Sequence, residues 1–140
     1  MLYVNPAAEE VFGYRNEELL GHDSADFIVP PHMRAVVSER RGRVRAGEPD
    51  VRGVNENMRK DGQCVICEWR NTPIVDEQGN FAGILAVAQD ITEHTAMVAA
   101  LEESEERYRQ IFAATPLPMW VADAHAPRFL AVNDAMVSKY

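Results

Sequence analysis

Residues 59–92 read RKDGQCVICEWRNTPIVDEQGNFAGILAVAQDIT. Within them Lys60-Asp61-Gly62 separates two β-rich runs, Val51–Arg59 and Gln63–Val75, and Asp-Gly between such runs is a strong hairpin signal. A second turn, VDEQGN at 75–80, leads into FAGILAVAQDI at 81–91, a continuous apolar run of the kind that fills a buried central strand. Three consecutive antiparallel strands are predicted.

The residues before them have another rhythm. Leu2–Asn5 reads as a short strand, and Pro6 suits the first turn of a helix that stops at Gly13. One more helical turn is expected around Arg15–Gly21 and another at Asp26–Val29, before Pro30-Pro31 interrupts. A longer helix fits His32–Ala46, with Gly47 as its cap. Short helices followed by an antiparallel sheet make an α+β chain.

Beyond Asp90 the chain turns helical. Glu93–Ala114 contains no Gly or Pro and is rich in helix formers, with Thr92 as candidate N-cap. Glu103 with Arg107, and Glu105 with Arg109, are correctly ordered i,i+4 pairs. The helix would be ~33 Å long. Ile91, Val98, Leu101, Tyr108 and Phe112 form a stripe that suits a short coiled coil with Glu105 as the flaw in its seam. The same stripe would equally suit packing on this chain's own sheet. Pro116 and Pro118 end the helix, and two short strands follow, Met119–Asp123 and Phe129–Val132.

The close of the chain repeats its opening. Val4-Asn5-Pro6-Ala7 matches Val132-Asn133-Asp134-Ala135, each a strand, an Asn and a helix start. One module begun twice signals a tandem array.

Composition narrows the function. The 140 residues are 46% apolar and carry a formal charge of −8, so the chain buries a core and is a poor general partner for a phosphate backbone. The cluster Arg40, Arg41, Arg43 and Arg45 reads as a solvated helix face rather than an anion site. No apolar run approaches the ~20 residues of a membrane span. Cys64 and Cys67 point to opposite faces of one strand, so neither a disulfide nor a metal site is expected, and a cytoplasmic setting fits. Without a phosphate loop, nucleophile elbow or metal-ligand spacing, no catalytic residue is assigned.

YVNPAAEEVFGYRNEELLG at 3–21, together with the stretch at 59–92, resembles a PAS domain with its C-terminal PAC segment. Residues 104–140 are similar to the start of a second PAS domain. The resemblance implies a five-stranded antiparallel sheet in the order 2-1-5-4-3, with small helices around a ligand-sized cavity. It divides the chain into a core at 1–92, a linker helix at 93–115 and the beginning of a second domain at 116–140. It also implies a sensory or interaction module of a bacterial signalling protein, a histidine kinase first and a diguanylate cyclase or phosphodiesterase next. Leu2–Asn5 matches the family's second strand, so the first is missing, and the strand near Met119–Asp123 is expected to fill that gap in its own chain or by exchange between two chains. An excised piece of a longer receptor, or a mis-set start, is a further expectation.

Cofactors are weighed through the same resemblance. The reactive cysteine of the light-sensing flavin branch aligns with Ser24. Asn57 matches one flavin-reading asparagine, whereas Cys67 and Ala88 stand where an asparagine and a glutamine are expected. No histidine lies between Met33 and Gly47, where haem-binding relatives place one. A photoactive flavin adduct and haem are therefore both disfavoured, and the ligand is left unknown. His22 and His32 read as surface or loop residues, and Trp69 as packing.

Asn55, Asn57 and Cys67 are the candidate ligand-binding residues, because two amides facing a cavity would hydrogen-bond a small polar ligand. The preferred alternative turns Val54 and Met58 inward and leaves the asparagines solvated. Signal relay is expected through Asp90, Ile91 and Thr92 into a helix paired in a homodimer along Val98, Leu101, Glu105 and Tyr108. The expected partners are a second copy and a downstream output domain, with neither nucleic acid nor direct membrane contact. A purely structural dimerisation module is the rival reading.

Overall fold

Helix α1 (Pro6–Phe12) starts as its sequence dictates: Asn5 is extended, its Oδ1 accepts from Ala8 N at 3.0 Å, and Pro6 occupies the first turn. The computed structural model describes residues 3–126 and 128–139. They fall into two units, 1–95 and 96–140.

In the first unit Gly13 closes α1 at φ +77°, a conformation that costs a glycine little. Lys60 N donates to Phe12 O at 2.9 Å, which ties the hairpin turn to the end of α1. Single helical turns follow at α2 (Asn16–Leu19) and α3 (Ala25–Ile28). A 3₁₀ turn at Pro31–Met33 leads into α4 (Arg34–Arg45). Leu2 lies outside the described residues, and Tyr3–Asn5 form no strand. Val4 N instead donates to Asn16 Oδ1 at 2.9 Å, so this segment is held by α2 and not by a ladder.

Strands β1 (Val51–Met58), β2 (Cys64–Val75) and β3 (Phe81–Asp90) form an antiparallel sheet in the order β1-β2-β3. The register pairs Asn57 with Val65, Asn55 with Cys67 and Trp69 with Ala88. Strand period then sends Val51, Asn55, Asn57, Val65 and Cys67 to one face, and all five are buried. Phe12, Ile28 and Val29 complete that core, with Trp69 and Ala88 packed against it.

The five-stranded order expected from the sequence is not what the described residues form: this sheet has three strands. Nor is β3 a buried central strand. Among the described residues it pairs with β2 alone, and most of its residues are exposed.

In the second unit, β4 (Trp120–Ala122) and β5 (Phe129–Val132) pair antiparallel, and α6 (Asp134–Lys139) follows. Asn133 Oδ1 accepts from Met136 N at 3.1 Å, the same i+3 cap that Asn5 makes on Ala8. The repeat read from the sequence is thus a repeat of hydrogen bonds.

Helix α5 spans Thr92–Ala114, and none of its residues is buried. Glu103 and Arg107 pair at 2.8 Å as expected. Arg109 turns to Glu106 at 3.5 Å rather than to Glu105, since i,i+3 and i,i+4 neighbours are both within reach on a helix.

Candidate functional site

The first cluster begins at Asn57. Its Nδ2 donates to Ile28 O at 2.9 Å, and its Oδ1 accepts from Asn55 Nδ2 at 2.9 Å and Trp69 Nε1 at 2.8 Å. Asn55 Oδ1 in turn accepts from Arg40 NH1 at 3.1 Å. One chain of hydrogen bonds thus runs from α4 through β1 to β2 and the end of α3. Burial makes each of these bonds matter, because an unpaired amide there would cost its full desolvation.

The orientation corrects the sequence reading. Asn55 and Asn57 are buried at 6% and 1% exposure, while Val54 is the exposed neighbour. The asparagines point inward because the core face of β1 is set by its pairing with Val65 and Cys67, not by which of its own residues are more apolar. Asn55, Asn57 and Cys67 lie together on one face. In this structure the amides are occupied by one another, by Trp69 and by Arg40, so a ligand entering here must exchange those bonds.

Trp69 packs as expected, with its ring 5.9 Å from Phe12 at 12°. The sequence reading put Arg40 on a solvated helix face, although a signal against that was present: Gly53 interrupts a strand, which often marks a close approach. A Cβ at Gly53 would sit 2.1 Å from Arg40 Cζ, so the glycine makes room for the guanidinium. Arg41 and Arg43 are also engaged, while Arg43 and Arg45 stay exposed as the solvated-face reading expected. Arg41 bonds Asp23 Oδ1 and Ser24 Oγ at 2.7 Å each, and Arg43 pairs with Glu48 at 2.5 Å. His32 is exposed and faces Glu56 at 2.9 Å, and His22 lies against Phe27 at 5.7 Å.

The second cluster is the junction. Asp90 Oδ1 accepts from Thr92 N at 2.9 Å and from Thr92 Oγ1 at 2.6 Å. Ile66 N donates to Thr92 Oγ1 at 2.8 Å, and Ile66 O accepts from Ile91 N at 2.8 Å. Both backbone groups of Ile66, between buried Val65 and Cys67, are therefore taken by the first residues after β3. Thr92 does not cap α5 with its hydroxyl, because that hydroxyl is spent on Ile66 and Asp90. The Thr92 bonds, side chain before backbone, hold the Asp90 carboxyl below its ordinary value of 3.8. Burial pushes the Cys67 thiol up to about 11, with the Asp90 charge adding to it. Of the relay residues, Val98, Leu101 and Tyr108 are exposed on α5, as is Glu105.

A family model described as the PAS fold matches residues 1–96, and one described as a PAS domain matches residues 106–138. The chain belongs to the PAS family. Solved PAS-like structures are similar to it. One is a light-oxygen-voltage domain whose mechanism was studied with a flavin analogue, 27% identical over 74% of this chain and 76% of that one, at a TM-score of 0.59. The light state of the blue-light photoreceptor Aureochrome1 LOV is 21% identical over 73% and 79%, also at 0.59. A sensory box histidine kinase/response regulator from Burkholderia thailandensis E264 is 18% identical over 77% and 81%, at 0.58.

These likenesses place the chain among α+β, PAS/LOV-like sensory modules. They also overturn one expectation. A photoactive flavin adduct was disfavoured on Ser24, Cys67 and Ala88, yet light-oxygen-voltage domains are among the solved structures similar to this PAS chain. Four aligned side chains are too few to dismiss a cofactor.

Proposed function

We propose that this PAS module converts a change at its inner sheet face into a change in α5, within a multidomain signalling protein. The supporting observation is Ile66, whose N–H and C=O are both bonded by Thr92 and Ile91. Ile66 is flanked by core residues, so a shift of β2 pulls directly on the start of α5. The domain division at 92–93 and 115–116 follows from this role: core, transmitting helix, next module. No described helix is long and apolar enough to cross a membrane, and we place the module in the cytoplasm.

The output is read by a second copy. Val98, Leu101 and Tyr108 lie unburied on α5, and a parallel pair of helices covers them, with Glu105 as the polar break that permits two registers. A histidine kinase is the preferred downstream domain and a diguanylate cyclase the next. Catalysis lies in that domain and not here. Flavin is the first ligand to test, on the similarity to light-oxygen-voltage domains.

A second reading has its own support. Both polar atoms of Asn57 have partners within the chain itself, as a purely structural module with no ligand at this face requires.

The test uses the chain with Leu101→Cys in a Cys64→Ser background. Relay predicts that Asn57→Leu alters both the Leu101→Cys disulfide rate between copies and the amide exchange of Ile66. Unchanged values for both favour the structural module. Visible absorbance of the purified chain, before and after adding flavin, decides the ligand.

A further inference from the structure

Among the described residues, the buried side-chain nitrogen left without a hydrogen-bond partner is Arg59 Nε. The rest of its guanidinium is little better served, since NH2 makes only a long bond to a neutral acceptor, Glu10 O at 3.3 Å. Arg41, Arg43, Arg52 and Arg70 each hold a carboxylate, whereas Arg59 forms no ion pair among the described residues. Asp90 feels the Arg59 charge, but its Oδ1 is taken by Thr92. A buried donor without an acceptor costs its desolvation, and a half-buried cation without a counter-charge costs more.

The chain leaves room for a counter-charge here. Gly13 at the end of α1, with Arg59, Lys60 and Asp61 at the β1–β2 turn, lines a cavity of about 250 Å³. Lys60 N, donating to Phe12 O at 2.9 Å, pins its two walls together. A Cβ at Gly13 would lie 3.4 Å from Lys60 Cβ, so a larger residue would crowd the same wall. The volume is below the roughly 300 to 1,000 Å³ of a cofactor-sized pocket, which suits a small group and not a flavin. Lys60 offers a second cation. Its Nζ pairs with Glu18 and stands 5.7 Å from the centre of the Tyr14 ring. Lys60 and Glu18 are both exposed, and such a surface pair is weak and readily exchanged. Asp61, the acid in the wall, serves its own turn, where its Oδ1 accepts from Gln63 N at 2.9 Å.

We infer that this cavity binds phosphate, free or as a small monoester, with Arg59 holding two of its oxygens and Lys60 supplying a second charge. The Nε edge of a guanidinium matches two oxygens on one phosphorus. A dianion answers both cations, where a carboxylate would answer one. Because Nε is closed to solvent, the guanidinium turns towards the cavity as phosphate enters. Binding gives up only the long bond to Glu10 O and the exposed pair with Glu18. The bound group then fastens the end of α1 to the β1–β2 turn. This site is independent of the relay proposed above and needs no movement of α5.

The experiment titrates the full chain, labelled with nitrogen-15, with inorganic phosphate near neutral pH at constant ionic strength. One arginine Nε–H resonance, absent in Arg59→Lys, is expected to move downfield and saturate, together with the amides of Gly13 and Asp61. By calorimetry, Arg59→Lys keeps the charge but loses the fork and weakens binding about tenfold. Lys60→Gln weakens it about threefold, and Arg45→Gln leaves it unchanged. Glycerol phosphate titrated in parallel separates the sources: tighter binding than inorganic phosphate assigns the site to a monoester, and equal or weaker binding to the free ion. Shifts spread over several arginine resonances without saturation overturn the inference, because surface charge responds to added ion in that way. Unchanged affinity in Arg59→Lys, shown folded by circular dichroism, also overturns it. If that variant does not fold, unchanged affinity in Lys60→Gln does the same.

Discussion

The indole N–H of Trp69 and the amide of Asn55 converge on one acceptor, Asn57 Oδ1, at 2.8 and 2.9 Å. Asn57 thereby joins β1 to β2 while its own amide holds the end of α3 through Ile28 O. Asn57→Leu keeps the branched shape with bulkier ends and orphans Trp69 Nε1 and Ile28 O, while Asn55 Nδ2 retains Glu56 O at 3.2 Å. A loss of roughly 2–3 kcal/mol in unfolding free energy is expected from two unpaired groups and the bulkier side chain. Urea denaturation followed by tryptophan fluorescence measures it, and a neutral or stabilising effect would show the cluster to be dispensable.

Thr92→Val removes a hydroxyl from the junction and little else. Ile66 N–H then loses its acceptor, while Ile91 still donates to Ile66 O. Faster hydrogen exchange at Ile66 is expected, with a cost of about 1 kcal/mol. Equal exchange in wild type and variant would mean that Thr92 does not couple β2 to α5.

The junction is also acid-sensitive. Asp90 is held below its ordinary value of 3.8 by Thr92, so it contributes stability that is present above that pH and is lost as pH falls through the lowered value. Asp23, Asp50 and Asp76 are lowered too, by their own partners, so the measurement is a comparison. Asp90→Asn keeps an acceptor for Thr92 without titrating. Its acid unfolding curve should be flatter than that of the wild type below about pH 4. Parallel curves would remove Asp90 from the account.

The two cysteines differ in environment, Cys64 exposed and Cys67 fully buried with its thiol pushed up to about 11. Alkylation of the native chain at neutral pH should modify Cys64 alone, and Cys67 only after denaturation. Modification of Cys67 at a comparable rate would mean that the inner face opens readily, as entry of a ligand requires.

Much of the architecture was legible because its signals are local. Asp61-Gly62 and Gly79 turn the chain where predicted, with Gly62 and Gly79 both at positive φ. Asn5 and Pro6 start a helix, Gly13 ends it, and the Gly- and Pro-free run from 93 to 114 is helical throughout. Each rests on what a residue does to its own backbone or to one a few positions away.

The candidate site was legible only in part. Asn55, Asn57 and Cys67 were singled out, but the preferred reading turned the asparagines to solvent, since a strand bearing Val54 and Met58 on one face looks better with that face buried. Arg40 was read with Arg41, Arg43 and Arg45 as a solvated face, because its partners lie 14 and 15 residues away. Glu105 and Arg109 were paired by spacing, and Arg109 chose Glu106.

The sequence by itself determined where most of the helices, turns and strands lie, that the chain carries a module followed by the start of another, and that Asn5 and Asn133 occupy matching places in the two. Only the tertiary structure decided which face of β1 is inside, that β3 stands at an edge, and that Thr92 serves Ile66 instead of capping its helix. Turns and caps are settled by bonds within a few residues, whereas a strand's inner face and a hydroxyl's partner depend on which distant segment arrives beside it.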